Sequence, residues 1–283
     1  NVKGGMYEIV KGLLKELQKE NITIHYNTEI VDFIAKNGKD IGGFIDQNGK
    51  QWTGDIFVVN SDAAWFRGKI FNRKNYSTPK LDNKKWTLAP FTLYLGVKGK
   101  IDAGHHHNYF LGNNFKEYAG KIFKNSISLE KPYYYVNIAS KFNENTAPPG
   151  HENLFVLCPV PDLRYKPDWS DRGELADNII NDLSERMNFD IKNNLVSKTI
   201  YDPINWKNMF NLYQGSGLGL AHDLNQVGGF RPRNKDEKYN NVFYVGSSTV
   251  PGTGLPMAVI SSKLVTEKVN NEFKPIQKKQ FAG

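Results

Sequence analysis

Residues 242–257 read VFYVGSSTVPGTGLPM, an apolar run followed by a glycine-rich turn and the first residues of an apolar helical pattern. The run 242–245 is unbroken, which is typical of a strand buried on both faces. Glycines at 246, 252 and 254 permit tight turns and let a ligand approach the backbone, because no Cβ intervenes. Pro256 suits a first helical turn, and the pattern continues to Val269. We therefore predict a strand, a turn and a helix.

The start of such a helix has unpaired N–H groups and the positive end of the helix dipole. Together these stabilise an anion or a polarised carbonyl. An ordinary strand-to-helix loop, punctuated by Gly and Pro, explains the same residues, so this segment alone leaves both interpretations open.

The first sixty residues also mix helix and strand patterns. Apolar residues recur at helical spacing over 5–19, which predicts an amphipathic helix. Residues 22–26 and 56–59 predict strands, and the second is apolar throughout, as in a strand buried on both faces. Residues 29–53 predict an antiparallel meander, because Asn-Gly pairs separate its apolar runs and favour type I′ turns with two positive φ angles.

The middle of the chain has a different sequence pattern, with more aromatic strands. Phe91, Leu93, Leu95 and Val97 fall on one face of a predicted strand, and an apolar stripe predicts a helix over 173–188. The predicted strands are rich in aromatic residues and cover 86–97, 108–111, 133–139 and 154–160. We predict an α/β (α+β) protein in which residues 1–62 and 231–270 form one domain. A lobe with a mostly antiparallel sheet, residues 63–230, interrupts it, and residues 271–283 form a basic tail.

Composition excludes several classes of protein. The 283 residues fit one large or two ordinary domains, and the single Cys excludes a disulfide framework. No apolar stretch approaches the roughly 20 residues of a spanning helix, which argues against an integral membrane protein. The sequence starts without Met or a leader and almost inside a helix, as a piece of a longer chain would. The net charge of +8 is scattered, which favours a solvated surface over a nucleic-acid site.

Common catalytic signatures are missing or weak. Gly215-Ser216-Gly217-Leu218-Gly219 has Leu220 where a dinucleotide fingerprint needs its last Gly, and we interpret it as a loop. His105–His107 alternate in direction on an extended segment, so a polar loop is favoured over a metal site. Cys158 lies in an apolar strand and is expected to be an inert buried thiol. No G-x-S-x-G or H-E-x-x-H element occurs.

Several motifs, in order along the chain, resemble landmarks of the bacterial phytoene desaturase family. They are Gly4-Gly5-Met6, the segment 57–62 (FVVNSD), the segment 91–97 (FTLYLGV), His106-His107, the segment 149–161 (PGHENLFVLCPVP) and Phe230-Arg231-Pro232. The resemblance implies an amine-oxidase-like fold, a Rossmann-like FAD domain interrupted by a substrate domain. The family's N-terminal FAD-binding portion has no counterpart here, so the chain resembles the C-terminal portion.

The resemblance also implies cofactor-binding residues. The turn at Gly246, Ser247 and Ser248 is similar to the turn that approaches the FAD ribityl and pyrophosphate, although Ser248 and Val250 replace the family's Ala and His. The helix start is similar to one whose N–H groups face the flavin pyrimidine edge. The strand after the opening helix implies backbone contacts to adenine. The implied residues are Glu29, Ile30, Val31, Gly246, Ser247, Ser248, Gly252, Gly254, Leu255, Pro256 and Met257.

The implied reaction is FAD-dependent dehydrogenation of a carotenoid, with hydride transfer from an allylic carbon to flavin. Strands 86–97 and 133–139 are candidate walls for the hydrocarbon, and no residue is assigned as general base. The implied location is cytoplasmic, peripheral to the inner face of the membrane, with contacts from residues 65–76 or the basic tail. Within the same class, the sequence of a carotenoid isomerase, a hydroxycarotenoid 3,4-desaturase or a dehydrosqualene desaturase would look nearly the same. A non-catalytic lipid-binding module and an amine oxidase are alternatives from other classes.

Overall fold

The computed structural model describes residues 2–112, 114–123 and 131–273. Its helices are α1 (Tyr7–Lys19), α2 (Ala63–Trp65), α3 (Thr78–Asp82), α4 (Phe115–Lys121), α5 (Arg172–Met187), α6 (Pro203–Phe210) and α7 (Leu255–Glu272). Its strands are β1 (Ile30–Ala35), β2 (Ile41–Asp46), β3 (Gln51–Thr53), β4 (Phe57–Val59), β5 (Ala89–Lys98), β6 (His107–Phe110), β7 (Tyr134–Ile138), β8 (His151–Val160), β9 (Leu195–Tyr201) and β10 (Val242–Tyr244). Among the described residues, no helix is both long and apolar enough to cross a bilayer.

The chain forms two compact units, each discontinuous in sequence. Unit 1 contains residues 1–27 and 88–217, and unit 2 contains residues 28–87 and 218–283. The chain therefore passes from one unit to the other after residues 87 and 217, whereas the sequence predicted boundaries after residues 62 and 230. Helix α1 belongs to unit 1, together with most of the predicted inserted lobe. The assignment of the predicted segments to cofactor and substrate stays a prediction.

Unit 1 is built on a five-stranded antiparallel sheet in the order β6-β7-β8-β5-β9. The predicted alternation in β5 is confirmed, since Phe91, Leu93, Leu95 and Val97 are buried in a core that includes α5. The aromatic strands and the helix at 173–188 are therefore confirmed within a few residues. The sequence prediction missed β9 and α6.

The opening helix α1 is confirmed as amphipathic, but its apolar stripe faces outward. None of residues 7–19 is buried, and Met6, Tyr7 and Leu13 are 59%, 64% and 62% exposed. The strand predicted at 22–26 is wrong, because these described residues pair with no strand.

Unit 2 contains the predicted meander, with antiparallel strands in the order β1-β2-β3. The predicted turn type is wrong. Gly38 and Gly49 have positive φ, but Asn37 and Asn48 do not. The Asn37 side chain instead accepts hydrogen bonds from the N–H groups of Lys39 and Asp40, which stabilises a wider loop.

The second sheet of unit 2 pairs β4 and β10 in parallel, with Val58 opposite Phe243. All three residues of β10 are buried, as predicted. The prediction that β4 is buried on both faces is wrong, because Val58 is 54% exposed. Helix α7 follows β10 through the glycine-rich turn.

Candidate functional site

The carboxyl ends of β4 and β10 lie at one edge of their parallel sheet, the usual place for a ligand in such sheets. Asn60 follows β4 and Gly246 follows β10. Gly246 has a φ of 99°, and a Cβ there would lie 2.5 Å from Asn60 Oδ1. The Gly246 N–H donates to Ser261 Oγ of α7 at 3.1 Å. Glycine at 246 therefore allows the turn to pack closely against both neighbours.

Asp62 and Ser248 join this turn to the short helix α2. Asp62 Oδ1 accepts hydrogen bonds from the N–H groups of Ala64 and Trp65 at 3.0 and 2.9 Å, which makes it the N-cap. Ser248 Oγ accepts the Ala63 N–H at 2.9 Å. The other carboxylate oxygen, Asp62 Oδ2, is buried and has no hydrogen-bond partner in the described part of the chain.

Arg231 fixes the carbonyl side of the turn. Arg231 is 2% exposed, and its guanidinium donates three hydrogen bonds to backbone carbonyls. The acceptors are Ser247 O at 2.7 Å, Thr249 O at 3.0 Å and Leu220 O at 3.2 Å. The planar fork of arginine suits three fixed acceptors in a way that the single ammonium of lysine does not.

Charge and burial act against each other in this cluster. Burial raises the pKa of Asp62 to about 6, although the Ala64 and Trp65 N–H groups and the charges of Arg67 and Arg231 oppose the shift. Burial lowers the pKa of Arg231, and the Asp62 charge opposes that change. The pKa of the Asp62 carboxyl group therefore lies well above the ordinary value of an aspartate.

The start of α7 is the part of the site that could face a ligand. Gly254 is its N-cap, with a φ of 117°, and a Cβ at 254 would meet only its neighbour Met257, at 3.8 Å. The first N–H groups of the helix, those of Leu255 and Met257, have no intrahelical acceptor. Leu255 is 64% exposed. The backbone here is open to close approach by an anionic or carbonyl group.

The structure brings most of the implied cofactor residues together. Gly246, Ser247, Ser248, Gly252 and the residues 254–257 form one continuous turn and helix start. Gly252 packs closely as well, since a Cβ there would lie 2.6 Å from His222 Nε2. Glu29 precedes β1, which contains Ile30 and Val31, and no hydrogen bond between β1 and the turn is found in the described ranges. Their contact with FAD stays a prediction.

Asp62 and Arg231 are the residues that sequence reasoning missed. Both stand in motifs that carried the family resemblance, but neither was given a role. A buried Arg whose partners are backbone carbonyls leaves no spacing pattern, so only the motif Phe230-Arg231-Pro232 could have pointed to it.

The predicted membrane contact at 65–76 stays a prediction for its exposed residues, but its apolar residues cannot make it. Phe66, Ile70 and Phe71 are buried in the core of unit 2. Arg67 is fully buried, lies 3.6 Å from the Tyr244 ring centroid and pairs with Glu237, and Arg73 pairs with Asp236 at 2.6 Å. The apolar stripe of this segment thus faces inward. The predicted tail contacts at 274–283 lie outside the described residues.

Two other sequence candidates have structural partners in unit 1. His106 stacks on Phe142 and His107 on Tyr135, and the described residues contain no group of three or more potential metal ligands. The Cys158 thiol is fully buried, which confirms the expected burial, and this burial raises its pKa to about 12.

Comparison with known proteins gives consistent matches. The chain is 32% identical over 272 residues to a zeta-carotene-forming phytoene desaturase of Myxococcus xanthus, covering 94% of this chain and 52% of that protein. It is 30% identical over 285 residues to a 4,4'-diapophytoene desaturase of Methylomonas sp, covering 98% and 55%. The chain thus spans about half the length of the curated relatives it matches. No family model matches it.

Solved structures support the fold. An oxidoreductase from Methanosarcina mazei matches with a TM-score of 0.59 at 16% identity, covering 94% of this chain and 55% of that one. The PF1083 protein from Pyrococcus furiosus matches with a TM-score of 0.54 at 12% identity, covering 95% and 53%. The predicted mixed fold with mostly antiparallel sheets is therefore confirmed. The chain is a relative of the phytoene and diapophytoene desaturases, matched along nearly its whole length and spanning about half of theirs.

Proposed function

We propose that this chain is the C-terminal half of an FAD-dependent carotenoid desaturase. The observation that carries the proposal is the open helix start at 254–257. It follows the turn at the carboxyl end of β10, in which the Ser247 and Thr249 carbonyls accept hydrogen bonds from Arg231. When bound, FAD would supply the hydride acceptor. The names of the relatives supply the substrate class, a carotenoid hydrocarbon.

The residues present fit one edge of FAD. The Leu255 and Met257 N–H groups would stabilise negative charge on a carbonyl edge, and the dipole of the 18-residue helix α7 adds to this effect. Gly254 would permit close approach, while Arg231 and Ser248 keep the turn in place. The chain contains no G-x-G-x-x-G fingerprint, so a dinucleotide cradle must come from elsewhere.

A preceding portion of the same enzyme is the proposed source of that cradle. The relatives are about twice as long as this chain. Exposed apolar residues also favour a preceding portion that covers them. Val58 at the parallel sheet is 54% exposed, and Leu255 and Val259 on α7 are 64% and 67% exposed. The outward stripe of α1 is a further uncovered surface.

The test is expression of the complete reading frame that includes this chain. We expect bound flavin with its absorbance bands, and new conjugated double bonds when a carotenoid precursor is supplied. Gly254→Ala should weaken flavin binding, because the added Cβ occupies the approach to the helix start. Gly49→Ala, also at positive φ in open space, is the matched control and should keep flavin.

The products decide between the proposed reaction and its alternatives. One of the relatives is a carotenoid 3,4-desaturase of Haloarcula japonica, at 27% identity, so a hydroxylated carotenoid should be supplied alongside phytoene and diapophytoene. A change in double-bond geometry without oxidation would indicate an isomerase. A complete protein without flavin would favour the lipid-binding module and refute the desaturase proposal.

We also propose that the enzyme acts at the cytoplasmic membrane surface, where an apolar substrate resides. Leu111, Phe115 and Phe123 are 56%, 59% and 43% exposed in unit 1, and Lys116 and Lys121 lie beside them. Exposed aromatic and basic residues together favour an interfacial contact. Replacing the three apolar residues by Ser should reduce flotation with anionic vesicles, and unchanged flotation would contradict this contact.

A further inference from the structure

One cleft of unit 2, which we call the basic cleft, collects positive charge that the sequence spreads along the chain. Its volume is about 550 Å³, within the range of small-molecule sites. Five of its eight lining residues are cationic, and only Glu237 is acidic. The cationic residues are Arg73, Lys74, Lys80, Lys84 and Lys238. The cleft therefore combines a concave shape with an excess of positive charge.

The two acidic residues at this place, Asp236 and Glu237, already have partners. Glu237 Oε2 accepts a hydrogen bond from Nε of Arg67 at 3.1 Å, and Arg67 is fully buried. Asp236 Oδ1 accepts one from Nη2 of Arg73 at 2.6 Å, and its Oδ2 accepts the Tyr244 hydroxyl at 2.8 Å. Because both carboxylates are engaged, little negative charge remains to offset the lysines.

The lysines of the basic cleft lack a counter-charge. Lys74 and Lys80 are exposed, and neither forms an ion pair within the described ranges of the chain. Lys238 Nζ lies 5.0 Å from the Tyr239 ring centroid, a contact that brings no negative charge. Like charges that are held close together repel each other, and an anion between them removes this repulsion.

The backbone that carries residues 73–76 is fixed against buried residues. The Arg73 N–H donates to Arg67 O at 2.9 Å, and the Tyr76 N–H donates to Arg73 O at 2.8 Å. A Cβ at Gly68 would lie 2.6 Å from the Tyr76 carbonyl oxygen, so glycine allows these segments to pack closely. The Arg67 guanidinium lies 5.4 Å from the Tyr76 ring centroid. This wall of the cleft is therefore preformed.

The donors of the basic cleft suit a phosphate group. Arg73 Nε is buried and has no hydrogen-bond partner in the part of the chain that the structure describes. An unpaired buried donor costs free energy, and a ligand oxygen would remove this cost. Asn75 and Tyr76 add uncharged donors, and burial raises the pKa of Tyr76, so its hydroxyl stays protonated. A phosphate group offers several strong acceptor oxygens and a high negative charge to such a set.

Other classes of ligand fit the basic cleft less well. A hydrocarbon would cover the lysine ammonium groups without pairing them. Single-stranded nucleic acid stacks on successive aromatic rings, whereas Tyr76 is the one aromatic residue among the eight that line the cleft. A bilayer contact needs apolar side chains that enter the headgroup region, and these eight residues include no aliphatic one.

We propose that the basic cleft binds a soluble small molecule that carries a phosphate or diphosphate group. Arg73, Lys74 and Lys80 would hold this group by charge-assisted hydrogen bonds. The cleft shares no residue with the glycine-rich turn and helix start at 246–257, so it is a second site in unit 2. The inference therefore goes beyond the proposed function and does not rest on it.

The test is isothermal titration of inorganic pyrophosphate into the complete enzyme as purified. We expect saturable binding with a Kd below about 1 mM. The double variant Lys74→Met, Lys80→Met should raise this Kd at least about tenfold, because it removes two cationic partners at exposed positions where folding is not at risk. The double variant Lys192→Met, Lys207→Met makes the same change at exposed positions of unit 1 and should leave the Kd within about twofold.

A second arm separates a soluble phosphate from a lipid headgroup. Flotation with vesicles that contain phosphatidylglycerol should be equally strong for the two double variants. Absence of saturable pyrophosphate binding, an equal loss in both double variants, or release of flavin by pyrophosphate would each overturn the proposal. Weaker flotation of the Lys74→Met, Lys80→Met variant alone, in an enzyme that does not bind pyrophosphate, would assign the cleft to a lipid headgroup and overturn the soluble ligand.

Discussion

Replacing Arg231 by Met should destabilise unit 2 more than any exposed substitution of the same kind. The change removes the donor for three backbone carbonyls at 2.7–3.2 Å and leaves them buried. A charge-assisted hydrogen bond contributes about 1.5–3 kcal/mol, and the cost of burying the guanidinium offsets part of the sum. We therefore expect a loss of about 3–5 kcal/mol in the free energy of unfolding of unit 2.

The measurement combines urea unfolding with hydrogen exchange in residues 242–250. The urea midpoint should fall with an unchanged slope, and the turn amides should lose protection. Arg231→Lys keeps the charge but not the planar fork, so its loss should be about half as large. Arg233→Met makes the same chemical change at an exposed position and should stay within about 0.5 kcal/mol. Equal effects of Arg231→Met and Arg233→Met would refute the assigned role of the three hydrogen bonds.

Three further predictions concern individual side chains. The pKa of Asp62 is about 6 against an ordinary 3.8, so the folded chain binds more protons than the unfolded chain between these pH values. The free energy of unfolding should therefore fall by about 2–3 kcal/mol as the pH rises from about 4 to about 7, and Asp62→Asn should abolish this slope in urea titrations. Ser248→Ala should cost about 1 kcal/mol, because the Ala63 N–H loses its acceptor; an unchanged urea midpoint would contradict this. Cys158 should react with a thiol reagent only after denaturation, whereas rapid labelling of the native chain would disprove its burial.

Periodic patterns predicted the elements whose burial alternates or recurs. The residues of β5 alternate between the core and the opposite face of the sheet, so a period of two identified the strand and its inner face. The stripe of α5 likewise faces a core. The same approach missed β9, whose residues are mostly exposed or half-buried and give no clear alternation.

Patterns failed where a side chain or a distant segment decides the outcome. The type I′ prediction at Asn37 assumed a backbone turn, whereas the amide side chain itself accepts two backbone N–H groups. The mixture of aromatic and basic residues at 65–76 indicated a membrane contact. Composition alone does not show that the Tyr244 ring, far away in sequence, covers Arg67. The glycines of the candidate site were found from local rules, but Arg231 acts on carbonyls up to 18 residues away in sequence.

The pairing of β4 with β10 has a consequence for how this protein forms. Val59 and Val242 lie at the two ends of the chain's long middle section, yet they belong to one two-stranded sheet. Contacts so distant in sequence form slowly, because a large loop must close before they give any stability. During synthesis, the antiparallel sheet of unit 1 can assemble while the second strand of this pair is still being made. A ribosome-bound chain ending at residue 217 should therefore protect the amides of β5 and β8, and those of β4 should gain protection only after Tyr244 has emerged.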